Sequence, residues 1–350
     1  MQRIAILGAG VMGSAMAFPA TAAGRDVTLV GTHLDAAIVD SVAGNGHHPR
    51  LNLAMPAGVE ALHHDAFGRR MAEPCDLVIL GVSSAGVDWA IDRLAESLPG
   101  PVPVLMITKG LATDGHAIEP LPFKVAREIE RRRGFAAPVM AVGGPCIAGE
   151  LAALRDTGVV ITGGDPALID RAIGALGGGF YHARPSADVV GVEVCAAFKN
   201  FFALGVGSAA GRFEREGKAA NGALMHNLAA NLFAQSVREM AVLTEALGGD
   251  RATASGMAGV GDLYVTCQAG RNSRMGRLLG LGMAYAEAKA QQMAADTVEG
   301  AELGLAVGPT LETMMADGRL DRRLLPMTCA LLDTLLRGQP FTADYAAFHR

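Results

Sequence analysis

Cysteine is scarce and scattered in this 350-residue chain: Cys75, Cys146, Cys195, Cys267 and Cys329 include no CxxC pair. That spacing argues against a zinc site or a disulfide framework and suits a reducing compartment, so a cytoplasmic protein with no bound metal is expected. Dense basic runs are missing too. Apart from Arg131-Arg132-Arg133, which reads as a solvated helix end, nothing in a chain of formal net charge -5 gives the electrostatic footprint of a nucleic-acid binder. No stretch of about 18 apolar residues runs without a charge, so no membrane span is expected. The alanine-rich run from Arg3 to Ala22 resembles a secretory leader, but Gly8, Gly10 and Gly13 stand where a leader favours helix formers.

The chain does have length and apolar content enough for two domains, with 50% hydrophobic residues. In the first half, β-rich runs (Arg3 to Leu7, Val27 to Val30, Asp76 to Gly81, Val102 to Thr108, Pro138 to Val142, Val159 to Thr162, and an edge strand near Phe180 to His182) alternate with amphipathic pieces such as Val87 to Leu98 and Pro166 to Leu176. Alternation of this kind predicts an α/β domain, a doubly wound parallel sheet of the Rossmann type, over residues 1–185. Past Ala183 it stops. Leu224, Leu228, Leu232, Val237, Met240, Leu243 and Leu247 recur at helical spacing, and residues 186–350 are expected to form an all-helical domain.

Gly8-Ala9-Gly10-Val11-Met12-Gly13 matches GxGxxG, follows a strand and opens a helix. In that context it predicts a dinucleotide cradle: a tight turn, a backbone that can approach a pyrophosphate, and close helix packing. After the second strand, where an NAD enzyme usually carries an acidic residue, stands Gly31-Thr32-His33. Thr32 and His33 can donate to a 2′-phosphate, so NADP is preferred over NAD, with Asp35 left open as the missing acid.

Four patches look chemically purposeful. Lys109 follows a strand whose C-terminal end faces the ligand crevice in such sheets. Gly143-Gly144-Pro145-Cys146-Ile147-Ala148 is either a plain turn or a backbone that approaches the nicotinamide. Lys199-Asn200 interrupts the apolar stretch Gly191 to Ala210. An ammonium there is either snorkelling from a core helix or paired and functional. Finally, Asp262 and Thr266 share a helical face, and Arg271-Asn272 open the next helix, where a phosphate would be welcome. The alternative there is a capped surface helix with its arginines in solvent.

Together these patches resemble the NAD(P)-dependent glycerol-3-phosphate dehydrogenases. The resemblance rests on Gly8 to Gly13, Thr108-Lys109-Gly110-Leu111, Gly144-Pro145, Gly191-Val192-Glu193, Phe198-Lys199-Asn200, Gly261-Asp262-Leu263, Thr266-Cys267, Arg271-Asn272 and Val298-Glu299-Gly300. The segments Gly31 to Asp35 and His48 to Leu51 are similar to the archaeal-like branch, which also fits NADP. It implies reversible hydride transfer between NAD(P)H and dihydroxyacetone phosphate, supplying glycerol 3-phosphate for phospholipid synthesis, in a homodimer. Lys199 would be the general acid/base. Lys109, Asn200, Asp262 and Thr266 would hold the hydroxyls and orient Lys199, and Arg271 with Asn272 would bind phosphate. Ala9, Val11, Met12, Thr32, His33, Lys109, Ala148, Arg271 and Glu299 would join the glycines in approaching the cofactor. Thr108 where serine is usual, Cys146, and Gly149 in place of a basic residue are departures from the family pattern. Hydroxyacid dehydrogenases place an asparagine four residues after the lysine, where this chain has Ala203. The remaining alternatives are another phosphorylated polyol as substrate, or a non-catalytic NAD(P)-binding sensor, which predicts loss of Lys199, Lys109 or Asp262.

Overall fold

The computed structural model describes residues 1–268 and 270–349. They form two compact units, Met1–Lys109 with Pro120–Val189, and Gly110–Glu119 with Val190–Arg350.

In the first unit, β1 (Arg3–Leu7), β2 (Asp26–Val30), β3 (Glu60–Leu62), β4 (Leu77–Leu80), β5 (Val104–Met106), β6 (Val139–Gly143), β7 (Thr157–Thr162) and β8 (Tyr181–Ser186) make one sheet in the order β8-β7-β6-β5-β4-β1-β2-β3. The chain reverses direction across the sheet between β1 and β4, the place where such sheets open a crevice at their C-terminal edge. Ile4, Ile6, Leu77 and Ile79 are fully buried, as strands covered on both faces require. All pairings but one are parallel. β7 runs antiparallel to β6, and the connection between them carries the five-residue helix Ala148–Ala152.

The second unit is built on α1 (Val189–Glu216), with α2 (His226–Ala246), α3 (Asp262–Gln268), α4 (Arg271–Gly280), α5 (Glu299–Ala316) and α6 (Pro326–Arg337). By length and composition α1 could cross a membrane, but 83% of its most apolar window is buried inside the protein. Phe198, Phe201 and Phe202 form an aromatic cluster on it, with ring centroids 5.5–6.1 Å apart. The helical spacing read from Leu224 onward is realised only from His226, so Leu224 lies before the helix. The hairpin of Leu111–Thr113 and Ile118–Pro120 leaves the first unit to pack on α5, where the Thr113 and Thr310 hydroxyls are 2.8 Å apart.

Candidate active site

At the C-terminal end of β1 the turn takes Gly8 to φ +116, a conformation that a side chain resists. Gly13 is held by contact: a Cβ there would lie 2.1 Å from the Gly8 carbonyl oxygen. Around Gly10 there is open space, as a backbone that must admit a pyrophosphate requires.

The peptide groups of Ala9 are braced from two sides. Asp35 Oδ2 accepts from the Ala9 amide at 3.2 Å, from the Thr32 amide at 2.8 Å and from the Thr32 hydroxyl at 2.8 Å. His48 Nε2 lies 3.2 Å from the Ala9 carbonyl, while its Nδ1 accepts from the Arg50 and Leu51 amides. Accepting at Nδ1 makes Nε2 the donor, so His48 is neutral. Burial holds its pKa below the usual value. Asp35, left open above as a ribose ligand, is thus a buried brace of the loop. It also lines a cavity of about 270 Å³, with Gly8, Gly10, Thr32, His33, Arg50 and Trp89 among others. The His33 and Trp89 rings are 5.6 Å apart. Elsewhere in this unit, Lys109 lies three residues beyond β5 and donates weakly to the Gly144 carbonyl at 3.4 Å, and Ala148 opens its short helix, packed against the core.

In the second unit Lys199 does not snorkel. It is 8% exposed, and its ammonium is ion-paired and hydrogen-bonded with Asp262, which is 1% exposed. A turn of π-helix, Met257–Gly261, delivers Asp262 to that position; such turns recur at functional sites. The Thr266 hydroxyl donates to the Asp262 carbonyl at 2.7 Å, which leaves its oxygen lone pairs as acceptors. Burial pushes the neighbouring Cys267 thiol up to about 12, against the pull of Lys199, so it stays protonated at neutral pH.

Asn272 ties three segments together. Its Nδ2 donates to Asn200 Oδ1 at 3.0 Å, and its Oδ1 accepts from the Gly300 amide at 2.9 Å, one of the amides at the start of α5 that the helix itself cannot satisfy. Glycine at 300 is a packing requirement, since a Cβ would lie 2.1 Å from the Asn200 carbonyl oxygen. Arg271, at the start of α4, is ion-paired and hydrogen-bonded with Glu299. Its charge is therefore already balanced.

Residues 3–168 match the N-terminal part, and residues 188–333 the C-terminal part, of NAD-dependent glycerol-3-phosphate dehydrogenase. The chain is 31% identical to the NADP(+)-dependent glycerol-3-phosphate dehydrogenase of Archaeoglobus fulgidus over 81% of this chain and 82% of that one. It is 32% identical to the NAD(P)+ enzyme of Symbiobacterium thermophilum over 96% and 90%. The chain belongs to the NAD-dependent glycerol-3-phosphate dehydrogenase family. Among solved structures, the glycerol-3-phosphate dehydrogenase of Coxiella burnetii matches with a TM-score of 0.78 at 25% identity, over 97% of this chain and 96% of that one.

As a member of the glycerol-3-phosphate dehydrogenase family the chain is an oxidoreductase. Of the residues singled out from sequence, Lys199, Asn200, Asp262, Thr266, Arg271, Asn272 and Glu299 come together in the helical unit. Gly8 to Gly13, Thr32, His33, Lys109 and Ala148 lie in the sheet unit. Sequence reasoning assigned no role to His48, Arg50 or Trp89. A histidine bound to the glycine-rich turn from 39 residues away leaves no periodic signal.

Proposed function

We propose that this protein reduces dihydroxyacetone phosphate to glycerol 3-phosphate with NADPH, reversibly. The observation that carries the reading is the buried Lys199–Asp262 pair, set among Thr266, Arg271 and Asn272. Bringing an ammonium and a carboxylate out of water is costly even when they are paired, and a proton donor for a ketone oxygen is the chemistry that needs it. The nicotinamide, when bound, supplies the hydride. Lys199 gives its proton to the oxygen that becomes the alcohol and takes it back in the reverse direction, while Asp262 keeps the ammonium charged and aimed. Thr266 and Asn200 hold substrate hydroxyls. Arg271, at a helix N-terminus, takes the phosphate, exchanging its contact with Glu299 for a dianion. Lys109 adds a second cation to the substrate.

For the cofactor, the open space at Gly10 and the 270 Å³ cavity fit a dinucleotide. The preference for NADP is supported by Arg50. It lines that cavity, is exposed, and its guanidinium has no ion-pair partner among the described residues, while the Asp35 carboxylate, which also lines the cavity, has Oδ2 bound to the loop. The five free thiols fit a reducing cytoplasm, and we extend the family reading to a homodimer.

The test is oxidation of NADPH and of NADH with dihydroxyacetone phosphate beside dihydroxyacetone. Turnover that requires the phosphate is expected, and its absence with both cofactors sinks the proposal. Arg50→Gln should lower kcat/KM for NADPH about 10- to 100-fold, the scale of a hydrogen bond to a charged group, and barely change that for NADH.

A further inference from the structure

Tyr181 is the largest fully buried side chain of the sheet unit, and its hydroxyl has no hydrogen-bond partner among the described residues. A buried hydroxyl left unpaired carries the full loss of its hydration, so an orphan of this kind calls for an explanation. The ring lines a cavity of about 20 Å³, together with Met12, Met16, Lys109, Gly144 and Cys146. Burial raises the phenol's pKa, so the hydroxyl stays protonated and able to donate.

The size of the cavity limits its occupant. About 10 to 15 Å³ admits one water, and a carboxamide or a ring needs several times more. A water needs two to four polar partners, and the walls offer the Tyr181 hydroxyl, the Lys109 ammonium and the Gly144 carbonyl. The last two already face each other at 3.4 Å, a separation at which a direct bond is weak.

We infer that this cavity holds one ordered water bridging the Tyr181 hydroxyl to the Lys109 ammonium, and that Tyr181 is thereby a positioning residue for Lys109. The inference rests on the proposed contact of Lys109 with substrate for its kinetic consequence, but not for the water itself. Tyr181 fixes the water from the floor of the sheet, and the water draws the ammonium toward the end of β6. Replacing the hydroxyl by hydrogen leaves the ring packing intact and removes this restraint on Lys109.

The experiment compares the full-length wild type, Tyr181→Phe, Lys109→Met and the double variant. High-resolution crystal structures should show water density within hydrogen-bond distance of Tyr181 Oη and Lys109 Nζ in the wild type and none in Tyr181→Phe. The KM for dihydroxyacetone phosphate should rise about 2- to 10-fold in Tyr181→Phe, with NADPH binding by fluorescence titration unchanged. In the Lys109→Met background the same substitution should add nothing further. A merely structural hydroxyl would add equally in both backgrounds. A dry cavity in the wild type, or a Tyr181→Phe enzyme with unaltered KM and a higher Tm, overturns the inference. Failure of the functional reading looks different: no wild-type turnover, whatever the density in the cavity.

Discussion

At the scale of single residues, one buried charged pair is where the chemistry is proposed. Lys199 and Asp262 are 8% and 1% exposed. Removing one partner of such a pair typically costs about 3 to 5 kcal/mol, whereas replacing both by apolar residues is often neutral. Lys199→Met is therefore expected to lower kcat by about 10² or more and to depress the Tm while NADPH still binds. Adding Asp262→Leu should restore the Tm and none of the activity. A single variant with wild-type turnover would move the acid/base role elsewhere. His48 behaves differently, because its function needs the neutral ring. Its folded pKa is lowered by burial, so below pH 6.5 the unfolded chain takes up the proton first. Its contribution to stability is complete above the unfolded pKa near 6.5 and is lost as pH falls through the lower folded value. Thermal melts between about pH 5 and 7 should show a Tm that climbs with pH, and His48→Gln should flatten that limb.

At the scale of elements, what holds the site together is close approach between helix backbones. A Cβ at Gly276 of α4 would lie 2.2 Å from the Leu204 carbonyl oxygen of α1, and one at Gly211 of α1 would lie 1.8 Å from the Arg277 carbonyl oxygen of α4. These two helices carry Lys199 and Asn200 on one side, and Arg271 and Asn272 on the other. Forcing them apart by one methyl group should cost about 1 to 3 kcal/mol of stability. It should also stretch the 3.0 Å bond between Asn272 and Asn200. Gly276→Ala is thus expected to raise the KM for dihydroxyacetone phosphate several-fold with NADPH binding intact; a Tm loss with unchanged KM would separate the packing from the site. Much of this was legible beforehand. Strand runs such as Arg3–Leu7, the amphipathic Val87–Ser97 and Pro166–Leu176, and the helix opening at Arg271 followed from local periodicity and turn chemistry. What escaped was set by contact between distant segments: the antiparallel course of β7 shows only in its pairing with β6, and the requirement for Gly276 depends on the approach of Leu204 in α1.

For the molecule as a whole, the two compact units do not correspond to two pieces of sequence. The helical unit includes Gly110–Glu119, borrowed from the middle of the sheet unit's sequence. Leu111 and Ile118 of that hairpin are each 9% exposed, the Thr113 hydroxyl meets that of Thr310, and Arg319 donates to the His116 carbonyl at 2.9 Å. A cut in the chain after residue 185 would strand the helical piece without this hairpin. It would lose the burial of two large aliphatic side chains, worth about 1.5 to 3 kcal/mol each, and leave the flank of α5 open to water. Since whole domains are stable by only about 5 to 15 kcal/mol, that loss is a large fraction of what the unit has. A fragment of residues 186–350 should therefore show reduced helical circular dichroism and bind a hydrophobic dye. Supplying residues 110–119 through a short flexible linker should raise its Tm by several degrees and suppress the dye signal. If the bare fragment melts at the same temperature as the linked one, the hairpin is a decoration on the helical unit rather than part of its core.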